Sequence, residues 1–172
     1  MGFVRYSFLI CFFVLLVSPV MANECSKEDR LQWEALYRGY AVFYKVDTGA
    51  TKLQTLFDWL LDPSHVCEGV VALAEDGGLA GLAHFRAMPS PLRGAEAGFL
   101  DDLFVDPARR GKGAGAAFLH HVDGIAAARG WPVTTWITRD ANYRARGLYD
   151  SLSTRNGWII YVMTTATTGR QS

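Results

Sequence analysis

The chain has 172 residues, 50% of them hydrophobic and 20% charged, which is enough apolar material for one globular domain with a sizeable core. Seventeen basic residues balance seventeen acidic ones, so charge gives no case for nucleic acid or an anionic membrane as the main partner. Cys11, Cys25 and Cys67 show neither metal-ligand nor CxxC spacing, and an odd count argues against a disulfide framework.

Residues 1–22 differ from the rest. Arg5 is their only charge, an apolar run follows from Tyr6 to Val17, and Ser18-Pro19 precedes Val20-Met21-Ala22. That is the layout of a secretory signal peptide ending at Ala22. Pro19 closes the run short of the roughly 20 residues a membrane span needs. A misassigned start, with the true one near Met21, explains the same segment.

Two helices are expected next. Ser26-Lys27-Glu28-Asp29 has capping-box spacing, and Trp33, Leu36, Tyr37, Tyr40, Phe43 and Tyr44 recur with helical period behind it. Thr51-Lys52-Leu53-Gln54 reads as a second capping pattern, followed by a stripe of Leu53, Leu56, Phe57, Leu60 and Leu61. Asp62-Pro63 ends it.

Strands follow. Glu68 to Glu75 and Leu79 to Met88 flank the hairpin signal Asp76-Gly77-Gly78, and Ala97 to Val105 is a third strand after a loop with Pro89, Pro91 and Gly94. Gly113 to Arg129 reads as a helix stopped by Gly130. Val133 to Thr138 is a strand, a helix capped by Asp140 carries Ala145, Leu148, Tyr149 and Leu152 on one face, and Trp158 to Thr165 is a closing strand. The order predicts a mixed α/β fold, α+β-like in its segregation, in a single domain.

The stretch Arg110-Gly111-Lys112-Gly113-Ala114-Gly115 joins a strand to a helix. A nucleotide P-loop needs a lysine followed by Ser or Thr, which is absent, and the glycines do not have dinucleotide-fold spacing. What remains is a basic glycine turn that aims backbone N–H groups and a helix dipole at an anion. A plain turn with exposed arginines explains it equally well.

The rest of the chain separates these readings. Arg110 to Gly115 fits an [RQ]xxGxG element directly after "DLFV", and "TRDANYRARGLYDSLSTRNGWIIY" places Asn142, Leu148, Tyr149, Gly157 and Trp158 in a second signature. Together these resemble the GNAT (Gcn5-related) N-acetyltransferases, over roughly residues 26–165. The strand motif is similar to that of spermidine/spermine and yeast Hpa-like small-amine acetyltransferases. The resemblance implies a central twisted mixed sheet flanked by about four helices, over residues 23–168. It implies acetyl transfer from acetyl-CoA to a small primary amine by direct attack, without a metal. Protein or peptide acceptors, or a non-catalytic acyl-CoA-binding module, are the alternatives.

The resemblance also assigns residues. Leu103, Phe104 and Val105 would run beside the pantetheine arm, with the Val105 amide as oxyanion donor. Arg110, Gly111, Lys112, Gly113, Ala114 and Gly115 would hold the pyrophosphate, and Asn142 the cofactor's arm. Tyr149 matches the general acid for the leaving thiolate and Asp101 the general base, acting through water. Asp102, expected on the opposite strand face, is placed with Tyr40 and Tyr44 near the acceptor, where Tyr37 is a further candidate. His65, His84, His120 and His121 match no ligand pattern. The family register puts a first strand near Leu16–Glu24, which cleavage after Ala22 would remove. That conflict, and the need for acetyl-CoA, favour a cytoplasmic enzyme over an exported or anchored one. A homodimer is left open.

Overall fold

The computed structural model describes residues 21–163. Two compact units divide the chain after Ile137. Among the described residues the first holds a five-stranded sheet and three α-helices, and the second holds one α-helix. The signal-like residues 1–20, and most of the strand expected over 16–24, lie outside the described residues.

The first helix starts as its spacing predicts. Asp29 accepts hydrogen bonds from both the Ser26 amide and hydroxyl, each 2.8 Å, and a 3-10 turn leads into α1 (Arg30–Tyr44). Trp33, Leu36 and Ala41 are buried, whereas Phe43 is exposed and leaves the expected apolar face. The second capping pattern is misplaced. Gly49 caps α2 (Ala50–Leu61), and Thr51 lies inside the helix, its carbonyl accepting from the Thr55 hydroxyl at 2.9 Å. Arg30 joins the two helices, its guanidinium 4.7 Å from the Phe57 ring and its Nη1 donating to the Leu53 carbonyl at 3.4 Å.

The sheet runs in the order β1 (Ala22–Glu24), β2 (Cys67–Leu73), β3 (Leu79–Ser90), β4 (Ala95–Val105), β5 (Thr134–Trp136). Neighbours are antiparallel except β4 and β5, which are parallel and joined by α3 (Ala114–Arg129). β3 continues through Pro89, where the sequence predicts a loop. β2 pairs only as far as Arg86, so Pro89 falls where β3 has one neighbour and a missing N–H costs little.

Alternation along β3 sorts the core into two layers. Leu82 packs with Trp33, Leu53, Phe57 and Phe104 under α1 and α2. Gly81 faces α3, where a Cβ would stand 3.1 Å from the buried Phe118 ring.

In the second unit α4 spans Tyr143–Leu152. Asn142 Nδ2 donates to Thr138 Oγ1 at 3.0 Å, and Arg146 holds Asp140 at 3.0 Å. The strand expected from Trp158 does not form over 158–163, where all six side chains are exposed. β-Branched and aromatic residues favour a strand only where a paired neighbour packs against them. Residues 164 and 165 lie outside the described residues.

Candidate functional site

The register between β3 and β4 slips at one point. His84 faces Asp102, whereas Phe85 faces Leu100, so Asp101 is the extra residue of a β-bulge. Strict alternation would send the two aspartates to opposite faces. The bulge cancels that alternation, and both line one cleft. The expected separation of Asp102 from Asp101 is therefore corrected.

Asp102 is anchored from below by a residue that no sequence spacing singles out. His84 is 1% exposed. Trp33 Nε1 lies 3.0 Å from His84 Nε2, and an indole N–H can only donate, so Nε2 accepts. The ring proton then sits on Nδ1, which donates to Asp102 Oδ2 at 2.9 Å. Burial works to raise the Asp102 carboxyl, but hydrogen bonds from His84 and from the Tyr40 and Tyr37 hydroxyls outweigh it and hold it below the usual range. The two phenols are raised in turn, first by burial and then by the Asp102 charge.

Asp101 is different. Arg86 Nε donates to its Oδ2 at 3.1 Å and its Oδ1 at 3.3 Å. Burial raises its carboxyl above the ordinary range, and the Arg86 guanidinium offsets this only in part. One carboxylate is thus held firmly ionised beside another that takes up a proton more readily. Cys67 lines the same cleft, and burial, with Asp101 and Asp102 adding to it, pushes its thiol up to about 12. At neutral pH it is a thiol and a poor nucleophile.

The cleft has a volume of about 850 Å³. Its far wall comes from α2 and the segment before it, including Asp47, Thr51, Leu56 and Trp59. Tyr37 lines it; Tyr40 and Tyr44 do not. The Tyr40 hydroxyl is turned to Asp102, and the Tyr44 ring packs edge-on against Tyr40 at 4.8 Å.

β4 continues from the bulge as a half-paired strand. β5 pairs only with Gly98, Phe99 and Leu100, so residues 101–105 have no strand partner on that side among the described residues. Gly98 permits the close approach at the paired end, since a Cβ there would lie 2.6 Å from Thr134 Oγ1. The Asp106 amide donates to the Ala80 carbonyl at 2.9 Å, which fixes the phase of the β3–β4 ladder. Phe104 therefore turns its backbone to β3, and its ring packs near Tyr40 at 6.0 Å. Leu103 and Val105 point their backbone groups to the open side. The Val105 carbonyl is already taken by Arg110 Nε at 3.0 Å, which leaves its amide open.

Beyond β4 the chain makes the glycine turn. Gly111 and Gly113 have φ of +83° and +87°, a region that favours glycine, and Gly113 caps α3. The amides at the start of α3, beginning with Ala114 and Gly115, precede the first carbonyl they could reach within the helix. Arg109 is paired with Asp76 at 2.7 Å, and exposed Lys112 is 3.8 Å from Glu75. Asn142 stands at the N-cap of α4, and Tyr149 lies within that helix.

Among the described residues no group of His, Cys, Asp and Glu is placed to hold a metal ion, and no helix is long and apolar enough to cross a membrane.

Residues 33–153 match the family model of the acetyltransferase (GNAT) family. The D-amino-acid N-acetyltransferase HPA3 of Saccharomyces cerevisiae is 26% identical over 143 residues, spanning 83% of this chain and 89% of that protein. A ribosomal-protein-alanine N-acetyltransferase from Brucella melitensis biovar Abortus 2308 has the same fold, with a TM-score of 0.72 at 24% identity, over 85% of this chain and 99% of its own. An aminoglycoside acetyltransferase from an uncultured soil metagenomic sample gives a TM-score of 0.67 at 15% identity, over 85% of this chain and 95% of its own.

Proposed function

Since the chain belongs to the acetyltransferase (GNAT) family and is an acetyl-CoA-dependent N-acetyltransferase, we propose that it acetylates a small molecule bearing a primary amine. The observation that carries this reading is the pair of unlike carboxylates in one cleft, on the same strand as the open backbone edge. The cleft suits a small cation, the chain's neutral charge offers no basis for docking a charged protein surface, and the curated relative is named for D-amino acids. The co-substrate favours action in the cytoplasm.

Asp102, kept ionised by His84 and the two phenols, draws the acceptor's ammonium into the cleft. Asp101 receives a proton from it, directly or through one water. The nitrogen then forms its bond to the acyl carbon as the carbon–sulfur bond breaks, and its second proton replaces the one the acid gives to the departing sulfur. The Val105 amide, open on the unpaired edge of β4, donates to the oxygen on which charge develops. Leu103 offers its N–H and C=O to the amide-bearing arm of the co-substrate, in the manner of an added strand. The amides of the Gly111–Gly115 turn and the α3 N-terminus receive the pyrophosphate, with Arg110 and Lys112 adding charge.

Tyr149 is proposed as the acid that protonates the leaving thiolate, and Asn142 as a contact to the co-substrate's arm. Support for both is their position in the second signature, with Leu148 beside Tyr149 and Gly157-Trp158 following. Tyr149→Phe is expected to cut turnover about a hundredfold while acetyl-CoA still binds. Unchanged turnover would remove the assignment.

The decisive test is acetyl-CoA consumption over a panel of polyamines, amino acids, aminoglycosides and peptides. Turnover of a small amine supports the reading. Binding of acetyl-CoA with no amine acetylated would make the chain a binding module instead, and a preference for peptides would move the acceptor to proteins.

A further inference from the structure

Arg86 takes no part in the proton and acyl transfers, yet it lines the same cleft as Asp101 and Asp102. It follows His84 by two residues on β3, so it lies on the same face, roughly 7 Å along the strand. One edge of its guanidinium is engaged, through Nε, with Asp101 at 3.1 Å. One face is engaged, lying 5.0 Å over the Phe99 ring. Both contacts fix the plane of the group.

The remaining edge is unused. Among the described residues neither terminal nitrogen of Arg86 has a hydrogen-bond acceptor, and the side chain is 34% exposed where it lines the cleft. A guanidinium held in a fixed plane with two parallel N–H groups open is a fork for a carboxylate.

We propose that the acceptor is an α-amino acid, its ammonium facing Asp101 and Asp102 and its carboxylate held by the two terminal nitrogens of Arg86. The proposal rests on the acetyltransferase reading of this cleft. An α-amino acid carries its two opposite charges one carbon apart. Asp101 and Arg86, in direct contact, present the complementary charges at comparable spacing. Leu56, Trp59 and Val66 supply an apolar wall for the acceptor's own side chain.

The test compares kcat/KM for apolar α-amino acids of both hands with that for the matching amines lacking the carboxylate, such as phenylalanine against phenethylamine. The wild-type protein is expected to favour the amino acid by about 10- to 100-fold, the range of a charge-assisted contact at a partly exposed site. Arg86→Gln should reduce that ratio to within a few-fold, and Arg86→Lys should restore part of it. The ratio reads carboxylate recognition even where the loss of Asp101's partner lowers both rates. Equal use of amine and amino acid by the wild type, or an unchanged ratio in Arg86→Gln, overturns the proposal and leaves small-amine acetylation standing. A preference for polyamines does the same. If no amine is acetylated while acetyl-CoA binds, the acetyltransferase reading fails and this proposal with it.

Discussion

Gly113→Asp is expected to weaken acetyl-CoA binding by more than about a hundredfold, below detection in a calorimetric titration, while the protein remains folded. Gly113 has φ of +87° and caps α3, at the point where the backbone would meet the pyrophosphate. A Cβ built there meets nothing within 4 Å, so the substitution displaces no neighbour in the protein. Aspartate tolerates the left-handed region better than most residues, which keeps the fold cost small. What changes is the field. A carboxylate about 5 Å from a phosphate at an effective dielectric near 20 costs roughly 3 kcal/mol, about two decades in affinity. Gly113→Asn has nearly the same shape and conformational cost without the charge, so it should lose much less. Equal losses in the two variants would assign the effect to strain, and binding retained by Gly113→Asp would refute the phosphate role of the turn.

Most of the fold was legible because its signals are local. The Ser26–Asp29 cap, the Asp76-Gly77-Gly78 turn and the Gly130 stop each depend on a few adjacent residues, and each falls where its spacing predicts. The misses are places where adjacent candidates compete or a distant neighbour decides. Thr51 has the chemistry of a cap, but Gly49 sits at the N-cap position and Thr51 falls inside the helix. The apolar run from Trp158 has strand composition, yet a strand needs a neighbour that composition cannot supply.

The site divides in the same way. Asp101, Asp102 and the glycine turn belong to contiguous motifs. The bulge that brings both aspartates into one cleft depends on how β4 registers with β3, which no property of "LDDLFV" reveals. His84 matches no ligand pattern in the sequence. Its one sequence signal is its place in "LAGLAHFRAM", on the face of Leu82 in a largely apolar strand, where a buried polar group requires a partner. Arg86, two residues on, shares that face, and its pairing with Asp101 comes from the bulge.

Asp101→Asn is expected to lower kcat/KM by about a thousandfold near neutral pH, within the usual range for a general base. Its pH dependence should separate a base from a mere partner of Arg86. With Asp101 taking the proton, the ammonium form of the acceptor is productive. The profile should then be flat between the Asp101 value and the much higher value of the amine. Burial raises the Asp101 carboxyl, so activity should be lost on the acid side as pH falls through that raised value, where the carboxylate becomes protonated. In the variant only acceptor that has already lost its proton can attack. Its kcat/KM should rise about tenfold per pH unit up to the amine's own value and approach the wild type at the alkaline end. A structural role through Arg86 predicts a lower curve of unchanged shape, because asparagine would weaken the ion pair equally at every pH in this window. Profiles from pH 6 to 9.5 for both proteins, with the same amine, decide between the two. A parallel pair of curves would end the case for Asp101 as the base and leave Asp102, already held ionised by His84, as the nearest carboxylate to take over that role.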